Sequence, residues 1–124
     1  MTKETERNRT IVLTAFQEFA RGNLEHLRDV LAPDFVEHSP GNPSGRDAFV
    51  DFLRTAPVAG AALDLRRVVA DGAYVVLHYR MTTPDEPRGT AVVDIWRLAD
   101  GLIAEHWDVV QPVPEEASTP HGMF

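Results

Sequence analysis

The chain has 124 residues, 44% of them hydrophobic and 25% charged, with a net charge of −7 and no cysteine. That length suits a single domain, residues 1–124, and that composition belongs to a chain with a packed core rather than a disordered one. Without cysteine there is no disulfide or thiolate chemistry, the acidic balance with a single lysine (Lys3) argues against a nucleic-acid partner, and no apolar run reaches the ~18 residues of a membrane span.

The N-terminal MTKETERNRT is polar and helix-prone, without the basic-then-apolar pattern of a secretory signal, so a cytoplasmic protein with no membrane partner is expected. From Glu4 to Ala20, Val12, Ala15, Phe16 and Phe19 recur at helical spacing, and Gly22 supplies a C-terminal cap. Asn23 is a candidate N-cap for a second helix carrying Leu24, Leu27, Val30 and Leu31, which Pro33 stops. DFVEH (34–38) is a short strand candidate, followed by the turn-rich SPGNPSG (39–45). Ser44 with Asp47 resembles a capping box opening a third helix, whose Ala48, Phe49, Phe52 and Leu53 share one stripe and which ends near Pro57.

Beyond that point the pattern turns to β. Residues 61–70, 73–82, 89–98 and 102–111 are strand-length runs rich in Val, Leu, Ile, Tyr and Trp, separated by Asp71-Gly72, TPDEPRG (83–89) and Asp100-Gly101. The order ααβαββββ predicts an α+β fold in which helices cover one face of an antiparallel meander. Residues 112–124 read as an exposed tail whose Met123 and Phe124 could dock.

The last hairpin carries the chemistry. Strand alternation puts His106 and Asp108 on one side of AEHWDVVQP. A two-residue type I′ turn at Asp100-Gly101 would set Asp94 opposite Trp107, whereas a three-residue loop, Ala99-Asp100-Gly101, sets it opposite His106. The second register sorts polar from apolar residues and is the expectation: Val92, Asp94, Trp96, Ala104, His106, Asp108 and Val110 on one face, Val93, Ile95, Ile103, Glu105, Trp107 and Val109 on the other. In the neighbouring strand His78 and Arg80 either join that cluster or face outward. Ionisable groups in an apolar cup are candidates for shifted pKa values and general-base chemistry, while a structural His–Asp hydrogen bond is the plain alternative.

FVEHSPGNPSGRDAF (35–49), VVADGAYVVLHYR (68–80), AVVDIWRLADGLIAEHWDVVQPVPE (91–115) and the closing MF resemble SnoaL-like proteins of the nuclear-transport-factor-two-like superfamily. That superfamily includes polyketide cyclases and is related in fold to ketosteroid isomerase. The resemblance implies a cone-shaped, curved antiparallel sheet wrapped around three N-terminal helices, with an apolar pocket at the open end. It implies an aspartate on the last strand as acid/base in an intramolecular aldol condensation, helped by a polar residue on the preceding strand. Asp108 and Asp94 match those positions, Asp94 standing where the cyclases have histidine. It also places His38 near the pocket mouth, and implies a homodimer through an outer sheet face bearing Val93, Ile95, Trp107 and Val109.

The leading expectation is thus a cofactor-independent cyclase or isomerase, or a related lyase, acting on a small apolar or carbonyl-containing molecule. Asp108 would remove a proton beside the carbonyl, His106 would orient Asp108 or shuttle its proton, and a neutral Asp94 would donate to the enolate oxygen, with Arg80 or His38 as substitute oxyanion partners. Trp96, Phe49, Phe52 and Tyr79 are candidate walls, and His26 and His121 are plain surface residues. Neither a metal nor a cofactor is implied. Two alternatives stand beside it: a non-catalytic binding module, in which Arg80 or His78 locks both aspartates in salt bridges, and a hydrolase resembling the limonene epoxide hydrolases. Those enzymes place an arginine two residues before an aspartate, where this chain has Val92.

Overall fold

The computed structural model describes residues 1–115 and 120–124; residues 116–119 of the predicted tail lie outside the described residues. Helices α1 (Lys3–Ala20) and α2 (Leu24–Val30) come first, then strand β1 (Leu31–Glu37), helix α3 (Arg46–Leu53) and four strands, β2 (Ala62–Asp71), β3 (Tyr74–Thr83), β4 (Glu86–Ala99) and β5 (Leu102–Pro112). The order is the expected ααβαββββ. The five strands form one curved, unclosed sheet in the order β1-β5-β4-β3-β2, antiparallel except where β1 runs parallel to β5. A parallel pair needs a long crossover, here α3 and the strands after it, so β1 meets its partner only once the meander is complete.

Helix and sheet meet along one buried layer. Val12 and Ala15 of α1, Leu27 of α2 and Phe49, Val50 and Leu53 of α3 pack on Phe35, Val75, Leu77, Tyr79, Val92, Leu98 and Ile103. Phe35 is wholly buried and its ring lies 4.8 Å from that of Phe49, tying β1 to α3. On β3 the inward set is Val75, Leu77 and Tyr79, which sends Val76, His78 and Arg80 to the outer face.

Three local expectations are corrected. Leu31 opens β1 instead of closing α2, since the extended backbone imposed by Pro33 begins two residues earlier. Asn23 sits at the N-cap of α2 without bonding its backbone and donates instead to Glu18. The Ser44–Asp47 capping box does not form: Gly45, at φ 89°, is the N-cap of α3, Ser44 Oγ accepts from Glu37 N, and Asp47 pairs with Arg28.

The β4–β5 register is the fourth correction. Asp100 and Gly101 have φ of 52° and 80°, as a two-residue type I′ turn requires, and Ala99 pairs with Leu102. Ladder pairing then slips between Arg97 and Leu98, leaving Ala104 as the extra residue of a bulge. Asp94 therefore stands opposite Asp108, and Trp96 opposite His106. The bulge changes the phase of β5, so Ile103 points into the core beside Leu98 instead of outward, and Ala104 leaves the inward set. Above the bulge the expected sorting holds.

Candidate active site

The inner face of β4–β5 closes one end of a cavity of about 280 Å³, whose remaining walls are supplied by the helices, β3, Leu63 of β2, Asn42 and the segment 56–58. Phe16, Phe49, Phe52, Tyr79 and Trp96 line it, with Asp94, His106 and Asp108 at the polar end. An apolar cup with a few convergent polar groups is the usual form of a small-molecule site. The expected walls Trp96, Phe49, Phe52 and Tyr79 are all present, and so are the three ionisable residues of the hairpin.

Those three are not equivalent. His106, 4% exposed, lies between two carboxylates: its Nδ1 is 2.7 Å from Glu37 Oε1 and its Nε2 is 2.9 Å from Asp94 Oδ1. The Trp96 ring stacks on the imidazole at 3.9 Å. Asp108 stands apart, half-buried at the cavity, and forms no ion pair among the described residues. His106 thus orients Asp94 rather than Asp108, which corrects the expected pairing.

Burial alone would push the His106 pKa down, but hydrogen bonds and attraction from Asp94 and Glu37 outweigh it and raise the value from 6.5 to about 9. The ring is an imidazolium at neutral pH and donates from both nitrogens. Asp94 Oδ1 faces one of those nitrogens at 2.9 Å, so that oxygen is taken by His106 and is not available as the oxyanion donor expected from sequence. Burial raises the Asp108 pKa from its ordinary value, the Ser39 hydroxyl and the His106 charge lower it, and Asp94 and Glu37 raise it again. Burial, then the neighbouring Asp94, holds the Tyr79 phenol well above its ordinary value, so it keeps its proton.

The remaining sequence candidates are elsewhere. His38 turns to the outer face, where its ring stacks on Trp107 at 4.8 Å and its Nε2 lies 2.6 Å from Glu105, itself bonded by Arg97 at 2.8 Å. His78 and Arg80 also face outward, and together with Arg66 they cradle the ring of Phe124, His78 stacked at 5.7 Å and the guanidinium groups at 5.1 and 5.5 Å. None of the three lines the cavity, because each is out of phase with the inward residue next to it: Glu37, Leu77 and Tyr79.

Glu37 was missed by the sequence reading, although Phe35 and Glu37 share one side of β1 by alternation and Phe35 is an obvious core residue. A lone carboxylate two residues from a core phenylalanine was the available signal. Asp94, His106 and Asp108 each offer a ligand atom within 4.8 Å of the others, a spacing that a metal ion could bridge. Both nitrogens of His106 already face carboxylate oxygens, at 2.7 and 2.9 Å, so an ion bound through the ring would have to displace one of those contacts.

The SnoaL-like domain model matches residues 12–106, well over half of the chain, and the match takes in β4 and the start of β5 through His106. The chain belongs to the SnoaL-like domain family. Among solved structures it is similar to a candidate ketosteroid isomerase from Kribbella flavida, with 24% identity over 94% of this chain and 84% of that one and a TM-score of 0.79. An NTF-2 like protein of unknown function from Burkholderia xenovorans LB400 aligns over 94% of this chain and 92% of its own at 18% identity and a TM-score of 0.83. A candidate SnoaL-like polyketide cyclase from Jannaschia sp. CCS1 aligns over 89% of both chains at 21% identity and a TM-score of 0.75. These likenesses establish the shared NTF2-like cone. No curated protein matches the sequence.

Proposed function

We propose that this SnoaL-like domain is a cofactor-independent acid/base enzyme that removes a proton beside the carbonyl of a small, largely apolar substrate, leading to aldol cyclisation or isomerisation. The observation that carries the reading is Asp108: a carboxyl facing an apolar cavity, free of any ion pair among the described residues, with its pKa raised from the ordinary value chiefly by burial. Asp94, His106 and Tyr79 form the polar wall beside it, and the Tyr79 phenol is a donor that keeps its proton. The candidate isomerase and cyclase among the structural neighbours are consistent with this class of reaction.

The binding-module alternative called for Asp94 and Asp108 to be salt-bridged to Arg80 or His78, and both of those groups lie on the outer face. The hydrolase alternative called for an arginine at the cavity, and no arginine is among its described lining residues. The test is exchange of α-protons into D₂O, followed by NMR over a panel of enolisable ketones sized for the cavity. Catalysed exchange falling by roughly 10²–10⁴ in Asp108→Asn is expected. Exchange that is equal in wild type and variant sinks the proposal.

We also propose a homodimer through the outer face. Val109 there is 67% exposed, next to Trp107, Val93 and Ile95, which together make an apolar stripe.

A further inference from the structure

We propose that Glu37 is the positioning residue of the site: one buried carboxylate fixes the His106 ring, and through it Asp94, while anchoring the 38–44 loop at the cavity edge. The proposal rests on the reading of Asp108 as the base. The Glu37 side chain has 0% exposure, and its Oε1 accepts three hydrogen bonds, from His106 Nδ1 at 2.7 Å, His38 N at 2.9 Å and Ser39 N at 3.1 Å. Its Oε2 accepts from Asn42 Nδ2 at 3.4 Å, and its backbone N–H donates to Ser44 Oγ at 3.0 Å. A buried carboxylate is tolerated only when it is paired and hydrogen-bonded, and here every partner belongs either to the site or to the 38–44 loop at its edge.

Each bond has a consequence at the reacting end. An imidazolium held at both nitrogens cannot turn without breaking a charge-assisted bond, so His106 keeps one N–H aimed at Asp94 and holds that carboxylate as an acceptor. Asp108 is then the carboxyl left to take the substrate's proton. The Ser39 N–H is fixed by Glu37, and Asn42, held by the same carboxylate, lines the cavity together with Asp108. The groups facing His106 are Glu37 from β1, Asp94 from β4 and Asp108 from β5, with Tyr79 of β3 behind Asp94. The described lining residues of the helices, Val12, Ala15, Phe16, Phe19 and Leu27 among them, bring no titratable group.

Glu37→Gln keeps the shape and removes the charge. Imidazole ¹⁵N titration of His106 and carboxyl ¹³C titration of Asp108 provide the readouts, with Glu105→Gln, on the opposite face, as the control. The His106 midpoint is expected to fall by about one pH unit or more and that of Asp108 to move with it, while the control leaves both in place. A folded Glu37→Gln protein with both midpoints unmoved overturns the proposal. If the variant does not fold, wild-type spectra at about pH 7.5 decide: both His106 nitrogens protonated supports the proposal, and a neutral single tautomer overturns it. Neither readout uses turnover, so loss of the catalytic reading through unchanged exchange in Asp108→Asn is distinguishable from loss of this one. With a turnover substrate, Glu37→Gln should move the pH profile of kcat, which a purely structural role would leave in place.

Discussion

The two faces of the β4–β5 hairpin carry the same chemistry in two solvents. Inside, His106 sits between Asp94 and Glu37, all three buried; outside, His38 meets Glu105, which also holds Arg97, in a solvent-facing group. Both arrangements are imidazole–carboxylate contacts of 2.6–2.9 Å. In the single chain water screens the outer one, where hydrogen bonds from His38 and Arg97 lower the Glu105 pKa and the contact contributes little to stability. In the interior the same contact fixes a protonation state, because separating the partners would leave an uncompensated buried charge. Distance alone therefore does not distinguish a working site from a surface decoration; burial and the number of satisfied partners do.

The largest effect that would break this contrast is removal of the inner cation. His106→Ala leaves Asp94 and Glu37 facing each other without a counter-charge, and a loss of about 3–5 kcal/mol is expected in urea unfolding. An equal loss from the outer Glu105→Gln would erase the distinction between the faces; that variant is expected to leave the urea midpoint nearly unchanged.

The next effect is the pH dependence. The folded pKa of His106, about 9, lies above its ordinary 6.5, so its stabilising contribution is complete below the lower value and is lost as pH rises through the upper one. The span corresponds to roughly 3 kcal/mol at 1.36 kcal/mol per unit, to be seen as a falling urea midpoint between about pH 6.5 and 9. Glu105→Gln should retain that fall and His106→Gln should flatten it. Asp108 acts in the same direction at lower pH: its raised pKa means that a contribution present in acid is lost as pH climbs through the carboxylate range.

Smaller effects belong to the outer face. Val109→Asp is expected to leave the inner titrations unchanged while shifting sedimentation from dimer to monomer, and a wild-type protein that sediments as a monomer would remove the proposed interface. Phe124→Ala, which frees His78, Arg66 and Arg80 from one aromatic ring, should lower the melting temperature least, by a few degrees at most, since exposed cation–π contacts contribute about 0.5–1 kcal/mol each.

Much of this was legible in the chain. The element order followed from helical stripes such as Val12, Ala15, Phe16 and Phe19 and from the switch to alternating β-branched residues after residue 61. Alternation also put His106 and Asp108 on one face, with Asp94 joined to them by sorting polar from apolar residues, and the cavity receives all three. The hairpin register was misread because a type I′ turn alone sets Asp94 against Trp107, and the bulge at Ala104 that restores the sorting has no mark in the residue pattern beyond the sorting itself. The resemblance put His38 at the pocket mouth, but adjacent strand residues face opposite ways, and it is Glu37 whose side chain turns inward to His106.

What the sequence determined by itself is therefore the local part: which segments are helix or strand, and which side of each strand its residues share, since both follow from period and propensity over a few neighbours. The tertiary structure decided the phase between strands and the partners across them. Glu37 and His106 are 69 residues apart and meet only because β1 pairs parallel with β5 at the sheet edge, while His78 and Arg80 point away because Leu77 and Tyr79 take the buried side of β3. A protonated histidine held between two buried carboxylates is a property of that meeting, because low dielectric and convergent hydrogen bonds exist only in the packed interior.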